Sequence, residues 1–291
     1  MLHRIIFGDN QFFGINHMSE QKAQALAEKF WNRKAITDVI DIAYECGIRG
    51  FMLNTNERAG EICDYFRENK EKYPDIWFYA SLPYAHKYAN AVGEKGIFGA
   101  IKETIIANSD TKEIIGMLTK GGLSLFEKNM IKVMELLIQI EMKIFRDLNV
   151  KVIFLQNIVT DLLLGLGVKD VFIAFYEFIR NKFKVEAGFI TMNMPKLVNF
   201  LLQCGIENPI VCSSINKAGY FMNPNKESYE ITLKEKPFRA IAMSILASGA
   251  IKPAEAVDYV CGKLGIKSIV FGASTRAHII ETKSLIEQYL K

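Results

Sequence analysis

The sequence predicts an α/β fold, a (β/α)8 TIM barrel that spans residues 1–291 as a single domain, with a helical insertion at 109–147 between strands three and four. One observation behind this prediction is a repeated joint, in which a helical pattern ends at glycine, continues with isoleucine and enters a short apolar run. Another is the lack of a G-x-G-x-x-G pattern after the first strand, which disfavours an open dinucleotide-binding sheet. The joints are Gly47–Ile48, Gly205–Ile206 and Gly265–Ile266.

Eight short apolar runs along the chain are predicted as strands. Several of them, such as "VIFL" and "IVF", are continuously apolar, which is typical of parallel strands that are buried on both faces. Eight alternations of strand and helix in one chain favour a closed barrel over an open sheet. The predicted strands are about 4–9, 50–54, 76–81, 151–156, 187–192, 209–213, 239–244 and 268–272.

Helical patterns follow most of these strands. Pro195 and Pro253 lie near the starts of two of them, where a missing backbone N–H costs little. The predicted helices are 35–46, 59–72, 89–107, 159–183, 195–204, 253–264 and 276–290.

Two segments depart from a simple alternation. The insertion at 109–147 reads as a helix pair hinged at Gly121–Gly122, and its second helix is apolar on nearly every side. We expect the barrel or another subunit to cover it, so this segment is a candidate surface for a homo-oligomer. The stretch 216–237 shows no clear helix and is predicted to be a long loop, either over a ligand or as an ordinary surface excursion.

The composition excludes several classes of protein. A formal net charge of +4, spread over 291 residues, gives no basic stripe for nucleic acid. The apolar regions 123–148 and 158–179 are interrupted by charged residues, so no membrane span is expected. Five cysteines without a C-x-x-C pair, and no secretory signal, predict a cytoplasmic protein with reduced thiols. The four histidines form no H-x-H or H-x-x-x-H pair, so no metal site is expected.

Polar side chains follow all eight predicted strands, at the end of a barrel where ligands bind. Amides and hydroxyls dominate this set, and such groups orient a ligand without titrating. In chain order the residues are Asp9, Asn10, Gln11 and His17; Asn54, Asn56, Glu57 and Arg58; Ser81 and Tyr84; Gln156 and Asn157; Thr191 and Asn193; Ser213, Ser214 and Asn216; Ser244, Ser248 and Gly249; Ser274, Thr275 and Arg276.

Four of these residues are the candidate catalytic groups. Asp9 is the candidate general base, and the alternative is a structural carboxylate that caps the following turn. His17 is either an acid/base partner or a surface residue near the helix that starts at Ser19. Asn54 and Asn157 are expected to face the reacting end of the ligand.

The last strand and helix predict a phosphate site. Gly272 allows close approach of the backbone, and the amides of Ser274, Thr275 and Arg276 open a helix whose N-terminus attracts anions. The alternative is that Ser274 or Thr275 serves as a helix N-cap, with or without a ligand.

Three stretches resemble the aldo-keto reductase superfamily: "IDIAYECGIRGFMLNTNERAGE" (40–61), "CSSINKAGYFMNP" (212–224) and "AMSILASGAIKPAEAVDYVCGKLGIKSIVFGAST" (242–275). The resemblance covers most of the barrel and implies NADPH as the candidate cofactor, although the residues themselves identify none. It also implies that the nicotinamide-side Asn193 is kept. The residues that fall where that family grips the NADPH phosphates are Ser244, Leu246, Gly249, Gly272, Ser274 and Arg276.

The catalytic set of that family does not carry over. Matched by position, its Asp becomes Asn54, its Tyr falls near Arg58 or Ala59, its Lys near Ser81 and its His at Asn157. An amide does not replace a carboxylate, and no acid remains for a carbonyl oxygen. The resemblance therefore implies the scaffold and the phosphate grip without ordinary carbonyl reduction.

Three functions remain open on the sequence alone. The first is an enzyme that binds a small phosphorylated metabolite or nucleotide at the C-terminal mouth of the barrel. The second is an NADPH-linked oxidoreductase that uses Tyr84 or His17 as its proton donor. The third is a non-catalytic ligand sensor or scaffold, with a partner bound by 109–147.

Overall fold

The structure is a computed structural model that describes residues 1–14, 19–84 and 123–290, with the side chains of 123–129 and 290 left out. His17, the predicted helix 89–107 and the stretch 109–122 of the predicted insertion lie outside the described residues.

Eight parallel strands close into a barrel, as the sequence predicts. Each strand pairs with the next one in the chain, and the last pairs with the first through Ile5–Ile269 and Phe7–Phe271. The strands are β1 (Ile5–Phe7), β2 (Gly50–Asn54), β3 (Trp77–Leu82), β4 (Val150–Leu155), β5 (Glu186–Thr191), β6 (Ile210–Ser214), β7 (Arg239–Met243) and β8 (Ser268–Phe271).

Helices surround the barrel and connect consecutive strands. Short 3-10 turns lie at Asn10–Phe13 and Ala247–Gly249, and π-helical segments continue two of the helices at Ile179–Phe183 and Asp258–Lys263. The α-helices of the described residues are α1 (Glu20–Lys29), α2 (Arg33–Glu45), α3 (Ala59–Glu68), α4 (Leu123–Met142), α5 (Asn157–Leu166), α6 (Lys169–Phe178), α7 (Met194–Gln203), α8 (Lys226–Glu235), α9 (Pro253–Val257) and α10 (Arg276–Glu287).

Alternation along the strands separates two layers of core. One set of side chains fills the barrel interior, and the residues between them pack outward against the helices. Gly188 belongs to the interior set, since a Cβ there would overlap the ring of Phe154. The interior side chains are Ile6, Met52, Tyr79, Val152, Phe154, Ile190, Ile210, Cys212, Ile241 and Val270.

Two predictions are wrong: that of a long loop at 216–237 and that of one continuous helix at 159–183. The stretch 216–237 contains α8, which Asn225 caps by accepting a hydrogen bond from the Ser228 amide at 2.9 Å. α8 buries only Tyr229 and Thr232, so its apolar pattern is too weak to predict a helix from the sequence. The predicted helix 159–183 is two helices, because Gly167 adopts a left-handed conformation (φ 70°) and ends α5.

The described part of the 109–147 segment begins with α4, which lies between β3 and β4 in the chain order of the barrel. Its side chains Val133, Leu137 and Ile138 are buried, and α4 packs against α6. The barrel itself therefore covers the apolar face that α4 presents from residue 130 onward. No helix within the described ranges is long and apolar enough to cross a membrane.

Candidate functional site

The mouth of the barrel, where the carboxyl ends of the strands meet, is lined by polar side chains. Side chains alternate along a strand, so the residue two positions after the last interior side chain also faces inward. On four of the strands, the last interior side chains are Met52, Tyr79, Phe154 and Cys212. On four strands that position is a buried polar residue. These residues are Asn54, Ser81, Gln156 and Ser214.

Asp9 follows β1 and is buried beside the end of β2. Its side chain is 6% exposed, and its Oδ2 accepts a hydrogen bond from the Asn54 amide at 2.8 Å. No described cation forms an ion pair with it. Burial raises the pKa of this carboxyl from 3.8 to about 7, although the Asn54 amide partly opposes the shift.

Asn54 is fixed by the turn that follows β2. Its Oδ1 accepts from the Asn56 backbone amide at 3.1 Å and from Asn56 Nδ2 at 2.7 Å. Asn56 Oδ1 in turn accepts from the Arg58 amide at 2.8 Å. The carbonyl side of Asn54 is thereby occupied, and its NH2 group has no hydrogen-bond partner among the described residues.

A cavity of about 400 Å³ opens beside this turn. Arg58 is held in its wall by Glu61, with Nε 2.6 Å from the carboxylate, and by the carbonyl of Phe30. Burial raises the pKa of the Tyr84 phenol, and the negative charges of Asp9 and Glu57 add to the shift. The lining residues are Phe12, Phe13, Ala27, Asn56, Glu57, Arg58 and Tyr84.

Glu141 of α4 is a buried carboxylate that sequence reasoning did not select. It accepts hydrogen bonds from the Thr55 hydroxyl and from the Tyr84 amide, the latter at 3.0 Å. It thus ties the turn after β2 to the turn after β3. The signal in the sequence is a glutamate within an apolar helical region. It was interpreted only as an interruption of a possible membrane span.

The predicted site residues on β4 and β5 lie at helix starts. Asn157 begins α5 and is partly exposed, while the preceding Gln156 is the buried residue of that strand end. Asn193 caps α7, since its Oδ1 accepts from the Lys196 amide at 3.3 Å. Neither position is shown to touch the Asp9–Asn54 pair.

The start of α10 carries the predicted phosphate residues. Thr275 caps the helix by accepting from the His278 amide at 3.3 Å, as the N-cap alternative predicted. The carbonyl of Ser274 accepts from Lys29 Nζ at 2.8 Å. Arg276 pairs with Glu45 at the end of α2, and both side chains are about half exposed.

The turn after β8 is in contact with the turn after β1. Gln11 is buried, and its Nε2 donates to the Gly8 carbonyl at 2.8 Å. A Cβ on Gly272 would overlap the Gln11 carboxamide oxygen. The backbone at Gly272 is therefore approached by a side chain of the same molecule on that face.

The turn after β7 has an unusual backbone. Four of its residues have positive φ, which costs energy for residues other than glycine. They are Ser244 (φ 54°), Ala247 (φ 45°), Ser248 (φ 56°) and Gly249 (φ 90°). A Cβ on Gly249 would lie 4.0 Å from Lys22 Nζ, so α1 extends over this turn as well as over Ser274.

Within the described ranges, no three His, Cys, Asp or Glu side chains converge as metal ligands would. All five cysteines are free; Cys63, Cys212 and Cys261 are buried, and Cys46 and Cys204 are partly exposed.

Comparison with known proteins gives a likeness of fold. No protein-family model matches the chain, and no curated protein matches its sequence. Among solved structures, an aldo-keto reductase from Brucella melitensis is 12% identical with a TM-score of 0.54, covering 98% of this chain and 89% of that one. An aldo-keto reductase of the silkworm Bombyx mori is 9% identical with a TM-score of 0.56, covering 98% and 82%.

A third likeness is to an aldo-keto reductase enzyme from a deep-sea metagenome library of the Medee basin. It is 10% identical, with a TM-score of 0.53, and the match covers 100% of this chain and 91% of that one. The TM-scores support a shared fold, whereas identities this low carry no residue roles. The chain has the closed (β/α)8-barrel fold of the aldo-keto reductases.

Proposed function

We propose that the protein is an enzyme that binds a small phosphorylated metabolite or nucleotide at the mouth of the barrel, with Asp9 as its acid/base group. The observation that carries the proposal is the buried Asp9 carboxyl, which a backbone amide holds at 2.8 Å without a described counter-ion. A carboxyl with a pKa of about 7 exchanges protons near neutral pH, where an ordinary carboxylate does not.

Two neighbours complete the reacting end. The NH2 group of Asn54 is a fixed donor for a carbonyl, carboxylate or hydroxyl oxygen of the ligand. Tyr84 lies in the cavity wall, and its raised pKa keeps the phenol protonated as a second donor. Glu141 positions Tyr84 through the backbone amide of that residue.

The phosphate end of the ligand belongs at the turns after β7 and β8. The start of α10 presents backbone amides, and Lys29 contacts Ser274 there. Arg276 pairs with Glu45 in a half-exposed ion pair, which is a weak interaction that a bound phosphate can replace.

NADPH fits these residues poorly. The Gln11 carboxamide occupies one face of the Gly272 backbone and closes that face to a ligand. The residues matched to the reductase chemistry also differ, since an amide, Asn54, stands at the position of its carboxylate and Ser81 near that of its lysine.

An NADPH-linked reaction is the second candidate, because Tyr84 lies in the cavity as a proton donor. Thermal unfolding with NADPH, NADH, inorganic phosphate and a panel of phosphorylated metabolites separates the two. We expect phosphate-bearing metabolites to raise the melting temperature and the nicotinamide cofactors to leave it unchanged. Stabilisation by NADPH alone would favour the second candidate.

Turnover of the stabilising metabolites then tests the role of Asp9. Asp9→Asn keeps an oxygen for the Asn54 amide but removes the titrating group, so we expect binding to persist and turnover to fall at least 100-fold. Asp147→Asn, at a largely exposed carboxyl, is the control and is expected to keep full activity. Equal turnover by Asp9→Asn would contradict the proposal, and binding with no turnover by either protein would favour a sensor.

A further inference from the structure

We propose that the cavity beside Tyr84 binds a protonated amine, at the end of the ligand opposite its phosphate. The position of the phosphate rests on the proposed function; the cavity assignment rests on its own walls. The cavity has a volume of about 400 Å³, which is large enough for a small ring or a short amine-bearing chain.

The walls provide aromatic surface for a cation. Phe13 and Tyr84, both partly exposed, line the cavity together with the buried Phe12, and Ala27 of α1 lines it as well. Aromatic faces attract ammonium groups within about 6 Å of the ring centre. A neutral apolar group would gain the same burial without this electrostatic term.

The charges around the cavity are negative. Glu57 lines it as an exposed carboxylate, and the Asp9 carboxyl nearby is partly ionised at neutral pH because its pKa is about 7. No described residue forms an ion pair with either. The cation of the wall, Arg58, is compensated by Glu61 at 2.6 Å. Both Asp9 and Glu57 act electrostatically on the Tyr84 phenol, which shows that they share its surroundings.

The opposite charge lies on the other side of α1. Ala27 lines the cavity, whereas Lys29, two residues along, donates to Ser274 at the turn after β8. Lys22 of the same helix lies beside Gly249. A ligand that carries an amine and a phosphate would match this separation of charge. In the reversed orientation its phosphate would lie in the cavity, against the carboxyl groups of Glu57 and Asp9.

The test uses benzylamine and its neutral isostere benzyl alcohol, with binding measured by calorimetry or ligand-observed NMR on the full chain at neutral pH. We expect benzylamine to bind at least fivefold more tightly than benzyl alcohol. Glu57→Gln should remove most of that preference, since it deletes one carboxylate and keeps the shape. Glu281→Gln, on the exposed side of α10, is the matched control and should retain the preference.

A second pair of variants tests the aromatic wall. Tyr84→Phe keeps the ring and should retain the preference for the amine, whereas Tyr84→Leu should reduce it. Equal binding of the two probes, or a preference that Glu57→Gln and Glu281→Gln leave equally intact, would overturn the inference.

Binding of inorganic phosphate to the wild type and to Arg276→Gln, measured separately, keeps the two proposals distinguishable. Phosphate binding that depends on Arg276, without a preference for benzylamine, would overturn the amine site alone. A benzylamine preference without phosphate binding would support the cavity assignment and contradict the phosphate half of the proposed function.

Discussion

The Gln11 side chain contacts the backbone of Gly272 and leaves no room for a larger residue at that position. The Gln11 carboxamide lies where a Cβ on Gly272 would be, and its Nε2 donates to the Gly8 carbonyl at 2.8 Å. Gly272→Ala should therefore push the carboxamide away and break that buried hydrogen bond, at a cost of about 1–2 kcal/mol in the free energy of unfolding. Urea denaturation measures this difference.

The double variant Gln11→Ala with Gly272→Ala is the control for that prediction. With the carboxamide removed, the new methyl group meets no clash, so the Gly272→Ala change should cost much less in this background. Equal costs in the two backgrounds would show that Gln11 does not occupy this face.

The Asp9 carboxyl makes stability depend on pH. Its pKa rises from 3.8 to about 7 on folding, so between these values the unfolded chain loses a proton that the folded protein keeps. The free energy of unfolding then falls as the pH rises from 4 to 7, by up to about 4 kcal/mol at 1.36 kcal/mol per pKa unit.

Asp9→Asn should flatten that part of the profile, and urea denaturation at pH 5 and pH 7.5 measures the difference between variant and wild type. The exposed control Asp147→Asn should parallel the wild type. A wild-type profile that rises from pH 5 to pH 7.5 relative to Asp9→Asn would contradict a raised pKa.

Residues of the site were predictable where they follow a strand directly. Asp9 and Asn54 end neighbouring strands in a parallel barrel, so their proximity follows from the alternation of strands and helices. The contacts of Gln11 with Gly272 and of Arg276 with Glu45 join residues far apart in sequence. No local pattern encodes which distant partner a long side chain will contact.

Glu141 shows how one helix holds two turns of the mouth. Its carboxylate accepts from the Thr55 hydroxyl and the Tyr84 amide, and its side chain is buried. Glu141→Ala leaves the buried Thr55 hydroxyl and the part-buried Tyr84 amide without this acceptor and should destabilise the protein by about 2–4 kcal/mol. Both bonds end on Oε2, so Glu141→Gln, which keeps one carbonyl oxygen for them, should cost much less.

Amide hydrogen exchange at Tyr84 gives a local measurement of the same contact. In Glu141→Ala, exchange of the Tyr84 amide should accelerate more than exchange of the Asn54 amide, which is held by Asp9. Unchanged exchange at Tyr84 in Glu141→Ala would contradict the assigned role.

The two helices for which no range was predicted, α1 and α8, have weak apolar patterns. α1 buries no side chain at all, and α8 buries only Tyr229 and Thr232. Each begins at a capping residue, Ser19 or Asn225, whose side chain accepts from the backbone amide three residues further on. Ser19 is recognisable as a helix start from the sequence, whereas the cap at Asn225 was missed and that stretch was predicted as a loop.

The closed barrel places strict limits on volume in its interior. A Cβ on Gly188 would overlap the ring of Phe154, which is itself buried among the interior side chains of the other strands. Gly188→Ala should lower the free energy of unfolding by about 1–3 kcal/mol through overpacking. Urea denaturation monitored by near-UV and far-UV circular dichroism measures it.

Gly165→Ala is the matched control for that substitution. Gly165 lies inside α5 with nothing within 4 Å of its Cβ position, so alanine there should stabilise the protein by up to about 1 kcal/mol. A loss of stability in both variants would mean that glycine content, and not the barrel interior, sets the cost.

The barrel as a whole was predictable because three of its joints repeat one local pattern and eight apolar runs alternate with helical patterns. In the joint a helix ends at glycine, isoleucine packs beneath it, and an apolar strand buried on both faces follows, as at Gly205, Ile206 and β6. The closure between β1 and β8 joins Ile5 to Ile269 and leaves the sheet without an edge strand.

That closure also brings residue 4 next to residue 289, since Arg4 Nη2 donates to the Tyr289 carbonyl at 2.8 Å. In a closed barrel, no strand is structurally the first. A short linker across this junction would therefore allow the chain to be cut at another position. Gly167, exposed between α5 and α6, is a suitable place for the new termini. Such a circular permutant would test directly whether the order of synthesis matters for assembling this barrel.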